Sequence, residues 1–471
     1  MQVEQIYTGC LAQGAYYIQS EGEAVVIDPL REVGPYLKKA EKDGATIKYV
    51  LETHFHADFV SGHLDLAKKS GATIVYGPNA APDFECHVAR DGEELAVGKI
   101  RIRVLHTPGH TMESTCYLLL DEAGRERYLF TGDTLFIGDV GRPDLAQKSD
   151  LTMEDLAGHL FDSLNLKIKP LPDDVVIYPA HGAGSACGKN MSKETFDTLG
   201  HQKQVNYALR AETKEQFVKE VTDGLAAPPS YFPLNVMLNK RGYESLDTVL
   251  GRGNRALSPL AFELEAEAND ALILDVRPAD EFRRGFIPGS INIGLDGQFA
   301  PWVGELVPDI RQPILLVAPA GKEEETVIRL ARVGYDHTLG YLENGFAAWQ
   351  AAGKPVDTVH RIQPAEFVQV FENQKDVPVF DVRRDGEYRA EHVEDAYHRP
   401  LSRINEWIGL LDPQQHFFMH CAGGYRSMIA ASILKARGYD NFTEVAGGFK
   451  AIKEAGAPTT DFVCQSKLQA A

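Results

Sequence analysis

Four histidines and two carboxylates of this chain fall on short segments that each follow an apolar run. They are Thr53-His54-Phe55-His56-Ala57-Asp58-Phe59, Thr107-Pro108-Gly109-His110, Thr131-Gly132-Asp133 and Pro179-Ala180-His181. Imidazoles and carboxylates gathered at strand ends are the makings of a metal site. A His-x-His-x-Asp motif binds two metals when every position is filled, yet the residue after Asp58 is Phe59, and a phenyl ring cannot coordinate. One half of a dinuclear site is therefore damaged. What remains includes His54, His110 and Asp133, two imidazoles and one carboxylate. With open positions, that set suits non-haem Fe(II) and oxygen activation. A structural zinc would more readily use cysteine thiolates and fill all four positions.

A second chemistry sits in the last quarter, in Cys421-Ala422-Gly423-Gly424-Tyr425-Arg426-Ser427. The loop is expected to follow a strand at His416 to Met419 and to precede a helix beginning near Ser427. Backbone N–H groups of Ala422, Gly423, Gly424 and Tyr425 can converge on the sulfur, the helix N-terminus adds positive potential, and Arg426 adds a cation. All three favour a thiolate nucleophile and would equally hold a persulfide anion. Phosphatases use a Cys-x5-Arg cradle; here Arg426 comes sooner, as Cys-x4-Arg, and the tighter loop fits a one-sulfur cargo better than a phosphate. A metal centre and a sulfur carrier in one polypeptide point to sulfur chemistry.

Two more residues stand near the metal motifs. Arg142, in Gly141-Arg142-Pro143-Asp144, offers bidentate recognition of a carboxylate on a small acidic thiol, against the plainer reading of a structural or solvent-exposed arginine. Cys187 lies in a glycine-rich loop just after His181, which places a flexible thiol beside the metal, either inert or able to hold and relay a persulfide.

These residues need elements to deliver them. Ala24 to Ile27 reads as a strand ended by a turn at Asp28-Pro29, then a helix through Leu37 to Lys42, then a strand at Ile47 to Leu51 that delivers His54. Ile100 to Leu105 delivers His110, Tyr128 to Phe130 delivers Asp133, and Val175 to Tyr178 delivers His181. Apolar strands that end in polar turns suit an α/β sandwich with its site along one sheet edge. A helical stretch and the proline-rich Ala227-Pro228-Pro229-Ser230 then close this first domain, residues 1–250. The remainder is duplicated at a period of about 105 residues. Ile273-Leu274-Asp275-Val276-Arg277 returns as Val379-Phe380-Asp381-Val382-Arg383, and Gly334-Tyr335-Asp336 as Gly438-Tyr439-Asp440. Each copy fits a small doubly wound domain, residues 256–355 and 360–460.

At 471 residues the chain is too long for one core. A net charge of −19 excludes a nucleic-acid surface, which needs clustered Lys and Arg. Six scattered cysteines (Cys10, Cys86, Cys116, Cys187, Cys421, Cys464) with no CxxC pair read as reduced thiols. Met1 to Cys10 reads as a strand rather than a leader, and no run approaches the roughly 18 apolar residues of a membrane span. A cytoplasmic enzyme, with no membrane partner and assembled as a homo-oligomer, is expected.

The pattern His54-x-His56-x-Asp58, His110, Asp133 and His181 resembles the metallo-β-lactamase fold. The finer runs Thr107-Pro-Gly-His110-Thr, Phe130-Thr-Gly-Asp133-Thr-Leu-Phe and Gly141-Arg142-Pro143-Asp144 resemble the persulfide dioxygenases and, more loosely, the glyoxalase II hydrolases. The Cys421 loop, with Asp381-Val-Arg383 upstream and Gly447-Gly448-Phe449 downstream, looks like a rhodanese. The preceding copy is similar, but its loop reads Ala318-Pro319-Ala320-Gly321-Lys322-Glu323-Glu324 and holds no cysteine, which implies an inactive spacer or docking surface. The resemblance implies an N-terminal αββα sandwich followed by two rhodanese-like doubly wound α/β domains. It implies one Fe(II) held by His54, His110 and Asp133, with His56, Asp58 and His181 orienting ligands or bound water from behind. Cys421 and Arg426 would be catalytic, and Gly423, Gly424 and Tyr425 would join Arg142 in binding substrate. The implied chemistry is oxidation of a low-molecular-weight thiol persulfide (of glutathione, coenzyme A, cysteine or another thiol) by O2 to sulfite and thiol. Sulfur exchange at Cys421 would interconvert persulfide plus sulfite with thiosulfate, as in sulfide detoxification. The alternative is a dizinc glyoxalase II-like thioester hydrolase with an appended sulfurtransferase.

Overall fold

A computed structural model of the chain describes residues 1–147, 150–374 and 376–463; Cys464 lies outside the described residues. They fall into two compact units, 1–248 with 330–334, and 249–329 with 335 onward.

The first unit is built on two six-stranded sheets. One runs β1 (Gln2–Thr8), β2 (Gln13–Ser20), β3 (Glu23–Ile27), β4 (Thr46–Leu51), β5 (Thr73–Tyr76) and β6 (His87–Val88) in spatial order. The other holds β7 (Glu94–Val97), β8 (Ile100–His106), β9 (Thr115–Leu120), β10 (Glu126–Gly132), β11 (Val176–Pro179) and β12 (Asp197–Thr198), in the order β12-β11-β10-β9-β8-β7. Side chains alternate between the faces of a strand, so each strand serves two cores. Tyr16, Ile18, Val25 and Ile27 pack inward against Ile102, Val104, Tyr117 and Phe130 of the second sheet. Ala15, Tyr17, Ala24 and Val26 point outward onto Tyr36, Ala40 and Leu66 of the flanking helices. On the opposite outer face Cys116, Leu118 and Ile177 pack against Leu160 and Phe217. Leu160 belongs to helix α1 (Met153–Ser163). The result is helix, sheet, sheet, helix. The four motif segments follow the C-terminal ends of β4, β8, β10 and β11; β10 reaches Gly132, so Asp133 leaves the strand directly.

The second unit contains two five-stranded sheets whose described pairings are all parallel. One consists of β13 (Ala256–Leu257), β14 (Leu272–Asp275), β15 (Ile291–Asn292), β16 (Ile314–Val317) and β17 (Thr338–Leu342), ordered β13-β17-β16-β14-β15. The other consists of β18 (Arg361–Ile362), β19 (Val379–Asp381), β20 (Tyr397–His398), β21 (Phe417–His420) and β22 (Phe442–Val445), ordered β18-β22-β21-β19-β20. The two orders are the same, as the sequence repeat requires. Both central strands, β16 and β21, are buried at every position, which is why they read as unbroken apolar runs. Helix α2 (Phe299–Leu306) belongs to the first copy and α3 (Tyr425–Ala436) to the second. The latter begins two residues earlier than expected, because Gly424, at φ +103°, turns the chain straight into it. No helix among the described residues is long and apolar enough to cross a membrane.

Candidate metal centre and cysteine loop

His54, His110 and Asp133 converge at the sheet edge with ligand atoms within 4.8 Å of one another, all three side chains buried. Each has one polar atom tied down and one left over. Thr53 is fixed by Asp28, which accepts from its N–H at 2.8 Å and from its hydroxyl at 2.9 Å. The Thr53 hydroxyl oxygen then meets His54 Nδ1 at 2.9 Å, turning Nε2 inward. His110 Nδ1 lies 2.8 Å from the Arg142 carbonyl, which likewise frees its Nε2. Asp133 accepts from His181 Nδ1 on Oδ1 at 2.8 Å, while Oδ2 is buried with no hydrogen-bond partner. His54 Nε2 and His110 Nε2 stand 3.8 and 3.4 Å from that oxygen. Burial, reinforced by His56, holds the His54 imidazole well below its usual range and hence neutral. Burial opposes the charge on Asp133, but His181, His54 and His110 outweigh it and keep the carboxylate ionised. Two inward-turned imidazole nitrogens and an unsatisfied carboxylate oxygen fit a divalent cation.

The remaining motif residues lie around this set. His181 bridges two carboxylates, with Nε2 2.8 Å from Asp58 Oδ2, and the pair raises its pKa against burial. His56 faces away: its Nε2 is 3.1 Å from Asp28 and 3.7 Å from Glu52. Phe59 is fully buried, its ring centroid 4.4 Å from that of His56.

In the second unit Cys421 follows β21 directly and is buried. The N–H of Gly424 donates to Sγ at 3.1 Å, and the Ser427 hydroxyl lies 3.4 Å from the same sulfur. Ser427 Oγ also donates to Glu444 Oε1 at 2.7 Å, while Arg361 Nε holds Oε2 of the same carboxylate at 2.5 Å. Arg426 is clamped by both oxygens of Glu387 at 2.5 and 2.8 Å.

The metallo-beta-lactamase superfamily model matches residues 8–181, and the rhodanese-like domain model matches residues 259–352 and 363–455. A metallo-beta-lactamase structure from Staphylococcus aureus subsp. aureus COL is 33% identical, with a TM-score of 0.65, over 73% of this chain and 99% of that one. The chain belongs to the metallo-beta-lactamase superfamily. It adds two rhodanese-like domains to that fold. A probable hydroxyacylglutathione hydrolase of Schizosaccharomyces pombe is 31% identical over 216 residues, 41% of this chain and 80% of that protein. The structure of ETHE1 from Myxococcus xanthus is 28% identical, with a TM-score of 0.43, over 51% of this chain and all of that one.

In the superfamily fold and in the added rhodanese-like domains, several expected site residues have other partners than the sequence suggested. Arg142, expected to grip a substrate carboxylate, has its guanidinium engaged within the protein: Asp144 takes it bidentately at 2.6 and 2.7 Å, and the carbonyls of Ala186 and Ala226 accept from it as well. Its contribution is structural, since its carbonyl aims His110. Arg426, expected as a cation for the sulfur, is paired with Glu387. Cys187 is no loose thiol either. It is buried with its sulfur within 4.8 Å of ligand atoms of Asp58 and His181, and burial beside Asp58 and Asp133 pushes the thiol well up. Of the backbone donors expected around Cys421, Gly424 is the one that reaches Sγ among the described residues. Tyr425 instead sends its hydroxyl to the Gly294 carbonyl at 2.8 Å.

Sequence reasoning missed Asp28, Glu52, Glu387, Ser427 and Glu444. Asp28 had a readable signal, an aspartate closing an apolar strand just before proline. It also takes a left-handed φ of +48°, unusual for a residue with a side chain. Ser427 lay within the quoted loop, but Glu444 is reached only through the fold.

Proposed function

We propose that the chain is a mononuclear non-haem Fe(II) dioxygenase for a low-molecular-weight thiol persulfide, coupled to a sulfurtransferase at Cys421. Three working parts carry it: residues 1–250, the cysteine-free residues 256–355, and residues 360–460. The observation that carries the reading is the buried two-histidine, one-carboxylate set with an orphaned Asp133 oxygen, in the same polypeptide as a thiol cradled at a helix N-terminus. Iron, when bound, would supply the activation of dioxygen. His54, His110 and Asp133 would hold it, the Thr53–Asp28 pair and the Arg142 carbonyl would fix the two imidazoles, and His181 would fix the carboxylate. The overall reaction is R–S–SH + O2 + H2O → R–SH + SO3²⁻ + 2 H⁺. At Cys421, Cys–S–S⁻ + SO3²⁻ gives Cys–S⁻ + S2O3²⁻, or runs in reverse.

The names of relatives such as the hydroxyacylglutathione hydrolase of Schizosaccharomyces pombe favour a second reading, a dizinc thioester hydrolase. Phe59 speaks against it, because it removes a ligand from the second metal. Oxygen uptake by the iron-loaded chain, measured over a panel of persulfides with sulfite and thiosulfate quantified, separates the two. Turnover of a hydroxyacylglutathione without oxygen uptake would replace the dioxygenase with the hydrolase.

A further inference from the structure

The cysteine-free copy, expected to be an inactive spacer or docking surface, reaches the cysteine loop of its twin. A cleft of about 280 Å3 is lined by Gln298 and Trp302 of the first copy and by Arg384, Glu387, Tyr425 and Arg426 of the second. The two sides are locked together. Tyr425, four residues after Cys421, donates its hydroxyl to the Gly294 carbonyl at 2.8 Å. Its ring lies flush on Gly297, where an added Cβ would come 2.4 Å from Cζ, so that only glycine fits. The N–H of Asn292 on edge strand β15 donates to Ser432 Oγ of α3 at 2.9 Å. The helix that starts at the cysteine loop is therefore seated on the silent copy.

The lining decides what the cleft suits. Arg426 is already neutralised by Glu387, and bare inorganic anions would find one guanidinium rather than two. That guanidinium is Arg384, exposed, whose Nη2 meets the Gln298 side-chain oxygen at a long 3.4 Å and which pairs with no carboxylate among the described residues. Trp302 and Tyr425 add two aromatic surfaces. The volume sits just under the roughly 300–1,000 Å3 of small-molecule sites, more than a thiosulfate ion needs. Aromatic walls, an amide and one available guanidinium match a small organic molecule that carries a carboxylate.

We propose that the silent copy, through Trp302 and Gln298 together with Arg384, reads the organic part of a carboxylate-bearing thiol persulfide that delivers sulfur to Cys421. The inference rests on the sulfurtransferase reading above. In the step, the Cys421 thiolate attacks the outer sulfur of R–S–S⁻; the new Sγ–S bond forms, the R–S–S bond breaks, and R–S⁻ leaves with its electron pair. Loss of the cysteine in the first copy then follows as specialisation: one copy holds the sulfur and the other selects its donor.

The test compares loading of Cys421, read as one added sulfur by mass spectrometry, from glutathione persulfide and from thiosulfate. Trp302→Ala, Trp302→Phe, Gln298→Ala and Arg384→Ala are set against the unchanged chain, with a melting curve for each. The expected result is a loss of rate at least tenfold greater with glutathione persulfide than with thiosulfate in Trp302→Ala and Arg384→Ala, with Trp302→Phe intermediate. Equal losses with both donors, or no loss, overturn the proposal. If Cys421 of the unchanged chain takes sulfur from neither donor, the sulfurtransferase reading fails. Calorimetric titration with glutathione itself then decides the cleft: binding weakened by Arg384→Ala upholds it, and no binding overturns it.

Discussion

At the scale of single residues, the metal set is defined by which atoms are already used. His54 Nδ1, His110 Nδ1 and Asp133 Oδ1 are each engaged, so substituting one of the three removes a ligand that no neighbour replaces. His110→Ala is expected to reduce bound iron from one equivalent to under a tenth and to abolish oxygen uptake while the chain stays folded. Full metal content in that variant, read by elemental analysis, would refute the assignment. Cys116 gives a prediction of a different kind. Burial pushes its thiol up to about 11, against weaker opposing hydrogen bonds from Thr107 and Thr134. Above about pH 8.5 the unfolded thiol ionises while the folded one keeps its proton, so this group makes stability fall as pH rises toward 11, by up to about 1.4 kcal/mol per pH unit. In Cys116→Val the stability curve from denaturant titrations should be shallower across that window; an identical slope would show that the buried thiol contributes nothing there.

At the scale of elements, helix α1 shapes the loop that carries His110. The Ser163 hydroxyl donates to the Pro108 carbonyl at 2.7 Å. Gly109, at φ +148°, lies so close to the helix that an added Cβ would be 2.4 Å from Leu160 Cα. Gly109→Ala must push the loop off its seat, and iron affinity should fall by about ten- to a hundredfold, as when a ligand's support is lost. Titration with a competing chelator measures this, and unchanged affinity would show that the loop is set elsewhere. The helix has its own anchor in Thr152 and Asp155, which cap each other's backbone N–H groups. Thr152→Ala should cost about 1 kcal/mol in denaturant unfolding. Elements were what the sequence made most legible: the strands that end at Leu51, His106, Gly132 and Pro179 were readable from apolar runs closed by polar turns. The partners of single polar groups were not. Arg142 in sequence is an arginine beside a metal motif, and only the fold brings the Ala186 and Ala226 carbonyls to it across 44 and 84 residues. Glu444, likewise, is 17 residues from the serine it meets. Trp302 reads as one more apolar residue on a core helix, and nothing in its periodicity says that it faces a cleft.

At the scale of the whole molecule, the proposed function would place two chemistries on one chain. Sulfite made by the first would be the acceptor for sulfur held at Cys421, and tethered modules see each other at an effective concentration that can reach the millimolar range. Two variants make this measurable without dividing the protein. Cys421→Ser keeps the metal set but replaces the proposed sulfur carrier with a hydroxyl, which cannot hold sulfane sulfur at neutral pH. It should consume oxygen and release sulfite at near the unchanged rate while enzymatic thiosulfate falls to the level of an enzyme-free control. His110→Ala keeps Cys421 and should make no sulfite from persulfide. Mixed at micromolar concentration, the two variants hold every group the intact chain holds, but on separate molecules. If covalent linkage matters, the mixture should give less thiosulfate per oxygen consumed than the intact chain, and the gap should narrow as protein concentration rises. Equal yields at every concentration would mean that sulfite reaches Cys421 through bulk water, and the fusion would then need another explanation, such as matched expression of the two activities.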